Sequence, residues 1–190
     1  MKNLIDGYQQ FLASADRSRY AELCGGQKPH TLVIGCSDSR VIPEDIFSAG
    51  PGELFVLRNV GNLCCTDNPS VASAIEYGVG HLGVSRAVIL AHGDCGAVKA
   101  ACHLEHLQEK GIRSWLEEEC YNGGSLEEAI KSWGLRQLKR LEDFPVVKEA
   151  VEKGVLETSL LYFDLGTLRL DRYDGESWTA VLQEKIPVME

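Results

Sequence analysis

The chain has 190 residues, enough to bury a core in one domain and too few to suggest a second, and it carries a formal net charge of −9 and seven cysteines. That acidity, without any lysine or arginine cluster, argues against nucleic acid and anionic membrane surfaces as partners and leaves a small-molecule substrate. Met1 to Asp6 lack the apolar stretch of a secretory signal, and no run approaches the roughly 18 apolar residues of a membrane span. An odd number of thiols suits a reducing compartment, so a soluble, cytoplasmic protein is expected.

Residues 1–25 read as an N-terminal helical arm. Leu4, Ile5, Tyr8, Phe11 and Leu12 recur at helical spacing, Ser14 to Asp16 interrupt, and a second stretch runs through Tyr20 and Leu23. The arm has an apolar face and no strand of its own to cover, which suits packing on a partner subunit. Gly25, Gly26 and Pro29 break the helix before a first strand over 31–35. A short helix over 43–47 and a turn at 50–52 precede a second strand, 54–57. Pro69 opens a helix to about residue 82, and a third strand follows over 86–91.

In the second half, a helix from Gly96 to about Gln108 is followed by an acidic interruption over 117–124. Ser125, with Glu128 three residues on, caps a helix to about 141. A helix over 145–153 leads to a fourth strand, 156–163, and residues 167–172 and 179–182 add a short antiparallel edge. The rhythm of strand, helix and strand implies an α/β fold: a central, mostly parallel sheet of about four strands plus that edge, flanked by helices, as one domain over 1–190.

Several motifs belong to structure, not chemistry. Gly78-Val79-Gly80-His81-Leu82-Gly83 spells a dinucleotide fingerprint, but a helix precedes it and a strand follows, the reverse of what a pyrophosphate needs. Asn68-Pro69-Ser70 is no glycosylation acceptor because of its proline. His103 and His106 with Glu105 have metal-capable spacing but sit among Gln108, Glu109 and Lys110 on a charged, solvated face; His30 and His81 stand alone. Cys24, Cys102 and Cys120 read as small buried fillers, and Cys64-Cys65 as a vicinal pair without a redox role.

Cys36, His92 and Cys95 read differently. Each follows an apolar, β-branched run and therefore sits at a strand end, where parallel sheets bind ligands. Two thiolates and one imidazole fill three corners of a zinc tetrahedron and leave the fourth for chemistry. Asp38 is the nearest oxygen ligand, and Arg40 beside it can pair with its carboxylate in bidentate fashion. This suggests a gate: with Asp38 held by Arg40, the metal can bind water; with Asp38 on the metal, the site is closed. Asp94 adds a negative charge beside the ligands. Zinc lowers the pKa of water from about 15.7 to near 7 in favourable sites, and two thiolates temper that effect, so activity should rise on the alkaline side.

Cys36-Ser37-Asp38-Ser39-Arg40, Arg58-Asn59-Val60 with Gly61-Asn62, and His92-x-x-Cys95-Gly96, in that order, resemble the β-class carbonic anhydrases from about Gly26 to Ala101, and more weakly to Asp174. The resemblance implies zinc-dependent hydration of carbon dioxide to bicarbonate in a homodimer or larger homo-oligomer. It implies metal ligation by Cys36, His92 and Cys95, with Asp38 as the exchangeable ligand and Asp38 and Arg40 as the catalytic pair. It also implies a pocket of Gln27, Phe55, Val60 and the Gly96 amide, with Gln27 reaching across the subunit interface. Arg58 matches a branch of the family with an inhibitory bicarbonate site, but Val33 replaces the tryptophan that site uses. Two alternatives use the same ligands: hydrolysis of carbonyl sulfide or carbon disulfide, and a non-catalytic zinc-stabilised scaffold. A thiol or redox role stands last.

Overall fold

The computed structural model describes residues 1–117 and 124–182. At its centre is a six-stranded sheet in the order β2-β1-β3-β4-β5-β6. Its strands are β1 Thr31–Cys36, β2 Leu54–Asn59, β3 Arg86–His92, β4 Glu157–Phe163, β5 Leu170–Tyr173 and β6 Trp178–Ala180. The first four are parallel neighbours, and β5 and β6 return antiparallel as the expected edge. The strands reach further than their apolar runs: β1 gains Cys36, β2 gains Arg58 and Asn59, and β3 gains His92. The chemical groups therefore sit on ladder-held backbone and not on free loops.

Helices α1 (Lys2–Ser14) and α2 (Arg17–Leu23) precede the sheet; α3 (Pro43–Ile46), α4 (Pro69–Glu76), α5 (Gly96–Ala101), α6 (Lys110–Leu116), α7 (Leu126–Asp143) and α8 (Pro145–Glu152) connect its strands. Alternate strand residues face opposite layers. Leu32, Ile34, Ala87, Ile89, Ala91 and Leu160 join Ile75, Ile130, Trp133 and Val147 in the main core. Val33, Leu90 and Phe163 face the other way, into a smaller cluster with Val41 that is edged by Ile46 and Phe47. The start of α7 follows its sequence signal: Glu128 N–H donates to Ser125 Oγ at 3.2 Å, and Ser125 N–H donates to Glu128 Oε2 at 2.6 Å.

Two helices depart from expectation. The one over 69–82 is α-helical only to Glu76 and continues as a wider π turn, Tyr77–His81, which lays Gly78 against the Phe55 ring; a Cβ there would stand 3.2 Å from Phe55 Cδ1. Gly78 thus serves helix–sheet packing, Gly80 faces Val146 of α8 and Gly83 turns the chain at a φ of +65°, with α4 before them and β3 after. The helix expected over 96–108 stops at Ala101, because a 3₁₀ turn, Leu104–His106, brings Leu104 and Leu107 back onto the core; α6 then follows, unforeseen. Of the acidic interruption, 118–123, including Cys120, lie outside the described residues. Cys24 corrects an expectation: it is exposed at the end of α2, its thiol donating to Tyr20 O at 3.4 Å, because α2 lies on the surface. Cys102 packs, half-buried, against the main core.

The arm meets the rest of the chain through α2, where Arg19 Nη2 donates to Pro51 O at 3.4 Å and lies 3.6 Å from Glu53 Oε1. Asp16 caps α2 by accepting from the Ser18 and Arg19 amides at 3.0 and 3.1 Å, and Phe11 meets Tyr20 edge-on at 5.6 Å. Neither arm helix buries a residue, and the apolar stripe of α1 is uncovered, Leu4 at 75 % exposure. Among the described residues no helix is long and apolar enough to cross a membrane.

Candidate metal centre

Cys36 closes β1, His92 closes β3, and Cys95 is the N-cap of α5. Because β1 and β3 are adjacent and parallel, with Gly35 opposite Leu90, their carboxyl ends lie side by side. Ligand atoms of the three residues fall within 4.8 Å of one another, and the residues are 5, 0 and 1 % exposed. Gly93 O lies 2.9 Å from His92 Nδ1, which places the imidazole proton on that nitrogen and leaves the Nε2 lone pair facing inward. Nε2 is buried and has no hydrogen-bond partner among the described residues. A buried nitrogen is seldom left so, and a cation between it and the two sulfurs would satisfy it.

The thiols point to the same conclusion. A hydrogen bond from Cys95 draws the Cys36 thiol down to about 4, and that shared proton, together with burial, pushes Cys95 up. Gly61 N–H also donates to Cys36 Sγ at 3.4 Å. Two cysteine sulfurs and one imidazole nitrogen make a donor set that fits zinc.

Asp38 is not one of these three and is engaged by Arg40. Arg40 Nε donates to Asp38 Oδ1 at 2.9 Å and Nη2 to Oδ2 at 2.7 Å, while the Arg40 amide donates to Oδ1 at 3.0 Å. The guanidinium holds the Asp38 carboxyl well below the usual carboxylate range. The expected bidentate pair is thus formed.

Three further residues hold the surroundings of the trio and of the Asp38–Arg40 pair. Arg58, opposite Gly35 in register, donates from Nε to Cys36 O at 2.9 Å and from Nη2 to Asp38 O at 2.7 Å, shaping the turn between Cys36 and Asp38. Asn59 brackets the loop after β2, its Oδ1 accepting from Leu63 N–H at 2.7 Å and its Nδ2 donating to Leu63 O at 2.9 Å. Asp94, read from sequence as a negative charge beside the ligands, turns instead to Arg40 Nη1 at 3.0 Å and to Lys99 Nζ. The Lys99 ammonium, and after it the Arg40 guanidinium, lower its pKa.

The pocket residues are divided. Gly96 opens α5 beside Cys95, and Val60, its carbonyl accepting from Trp115 Nε1 at 2.7 Å, precedes Gly61. Gln27 is exposed in a groove with Arg19, Glu22 and Gly52, before the start of β1, and Phe55 packs at 5.9 Å on the Tyr77 ring near the start of β2. Six strand residues span about 20 Å. Within one chain these two side chains therefore sit toward the opposite end of the sheet from Cys36, His92 and Cys95.

The carbonic anhydrase family model matches residues 31–170. The carbonic anhydrase of Pseudomonas aeruginosa is 33% identical over 93% of this chain and 89% of its own length. Carbonic anhydrase 1 of Escherichia coli O157:H7 is 32% identical over 92% of this chain and 89% of its own. Among solved structures, the β-carbonic anhydrase CcaA superposes with a TM-score of 0.88 at 31% identity, covering 98% of this chain and 93% of that one. A structure from a study of two tetrameric β-carbonic anhydrases of the ascomycete Sordaria macrospora gives 0.77 at 28% identity, with 94% and 96% covered. Sheet, ligand order and these likenesses agree along nearly the whole chain, which belongs to the β class of the carbonic anhydrase family.

Proposed function

We propose that this carbonic anhydrase holds one zinc ion per chain on Cys36, His92 and Cys95 and reversibly hydrates carbon dioxide to bicarbonate and a proton. The observation that carries the reading is the trio of buried, converged donor atoms with an unpartnered His92 Nε2, beside a carboxylate engaged by arginine. When bound, zinc supplies the Lewis acidity that makes water nucleophilic near neutral pH.

The chain's own residues do the rest. Cys36, Cys95 and His92 would hold the zinc, three donors from the chain being fewer than the four a closed structural site uses. Asp38 accepts the hydrogen of the attacking oxygen and turns its lone pair toward the carbon of carbon dioxide; Arg40 keeps Asp38 ionised and away from the metal position. Released from Arg40, Asp38 is the carboxylate able to take that position and close the site. The Gly96 amide and Val60 line the near side of the pocket. Gln27 and Phe55 complete it from a second subunit, since in one chain they lie at the far end of the sheet. The uncovered stripe of α1 supports that assembly, a homodimer or larger homo-oligomer, with residues 1–25 as the arm of a single domain over 1–190. Cytoplasmic work suits a chain whose site depends on reduced thiols.

The test is stopped-flow carbon dioxide hydration on zinc-loaded protein from about pH 7 to about pH 9, with metal content measured on the same sample. About one zinc per chain and turnover rising with pH are expected, because two thiolates leave the metal less positive than three imidazoles would. Zinc bound without turnover at any pH would overturn the hydration reading and make carbonyl sulfide and carbon disulfide the next substrates to offer.

A further inference from the structure

Arg40 makes more bonds than its pairing with Asp38 needs. Nε and Nη2 serve the two Asp38 oxygens, while Nη1 donates to Asp94 Oδ2 at 3.0 Å and Nη2 donates again to the Asp94 carbonyl at 3.2 Å. A guanidinium has five N–H donors, so these four bonds can use four different hydrogens and Asp94 takes none from Asp38. Asp94 is itself fixed. Its φ of +58° is a left-handed conformation that aspartate tolerates at some cost, and its second oxygen accepts from Lys99 Nζ on α5. Charge alternates along the row Asp38, Arg40, Asp94, Lys99. The row joins the segment after β1 to the loop after β3 and to α5, which together carry Cys36, His92 and Cys95.

We propose that Asp94, braced by Lys99, is a positioning residue that anchors the Arg40 guanidinium and so sets the balance between the open site and the site closed by Asp38. The inference rests on the zinc reading above and extends its pair to a row of four. An arginine tied at both ends cannot follow Asp38, so a swing of Asp38 toward the metal position breaks both of its side-chain bonds to Arg40. With Asp94 gone, Arg40 can travel with Asp38, fewer bonds break, and the closed form gains population.

Cobalt(II)-substituted protein gives a readout that does not depend on turnover, because its absorption spectrum reports coordination directly. Azide, a small anion, should enter the open position of the wild type and shift the bands. In Asp94→Asn, which keeps the size and the tolerance of positive φ, the azide midpoint should rise about two- to fivefold, the effect of losing an ion pair of modest strength. Lys99→Met should move it in the same direction by less. In an Asp38→Ala background Asp94→Asn should change the midpoint by less than about twofold, since no carboxylate remains to close the site.

A midpoint unchanged by Asp94→Asn, or shifted equally in both backgrounds as a merely structural role would predict, overturns the proposal. If Asp94→Asn does not fold, Lys99→Met in the two backgrounds makes the same comparison. Wild-type protein that takes up no cobalt overturns the zinc reading and this proposal with it, whereas active wild type with an insensitive Asp94→Asn overturns this proposal alone.

Discussion

Gly61 stands where the site and the core compete for the same space. Its φ is +83°, and a Cβ would sit 2.9 Å from Trp133 Cζ2 and 3.1 Å from Ala97 Cβ. Its N–H points to Cys36 Sγ at 3.4 Å, and its carbonyl accepts from Trp133 Nε1 at 2.7 Å. Gly61→Ala is expected to cost about 2–4 kcal/mol through left-handed strain and overpacking, and to weaken zinc retention by disturbing Cys36. Urea unfolding and zinc competition by a chelator measure the two effects separately; a stability loss with unchanged zinc affinity would mean that Gly61 serves packing alone. At this scale Cys36, His92, Cys95, Asp38 and Arg40 were legible, because residue type and short spacing limit what such groups can do. The contact of Asp94 with Arg40 was not, since its direction depends on a left-handed turn that nothing in His92 to Gly96 announces.

Helix starts are local chemistry, and α7 follows its signal closely. Ser125→Ala removes the acceptor for the Glu128 amide and is expected to cost about 1 kcal/mol, read as a lower urea midpoint at unchanged slope. A loss below about 0.3 kcal/mol would show that packing of Ile130, Trp133 and Leu141 holds the first turn without the cap. Where a helix ends is a tertiary matter. The spacing after Gly96 permits a continuous helix, but the break at Cys102 and His103 brings Leu104 and Leu107 to the core. Gly134, unusual inside a helix, is likewise explained only by its neighbour: a Cβ would stand 2.8 Å from Leu160 Cδ1, so glycine lets α7 lie close on β4.

The whole molecule presents an apolar stripe on α1 and a candidate pocket split between the two ends of its sheet. One arrangement accounts for both, a second copy that covers the stripe and brings Gln27 and Phe55 to the metal centre. Tyr8→Asp with Leu12→Asp on α1 should shift sedimentation to a smaller species and lower carbon dioxide hydration more than about tenfold, with the far-ultraviolet circular dichroism of the remaining fold preserved. Assembly and activity both unchanged would remove the arm from the interface and return Gln27 to the role of a loop residue.

By itself the sequence determined the alternation of strands and helices, the parallel sheet with its antiparallel edge, and the chemical identity of the Cys-His-Cys trio with its Asp–Arg pair. Each of these is written in nearest-neighbour spacing, hydropathy period and side-chain type, which do not depend on distant residues. Only the tertiary structure decided that β1 and β3 are adjacent, so that Cys36 meets His92 and Cys95, that Arg58 bonds the Cys36 and Asp38 carbonyls, and that Asp94 turns to Arg40. It also decided that Gln27 and Phe55 stand apart from the cluster. These depend on register and on distances across the sheet, quantities that arise once separated segments have paired.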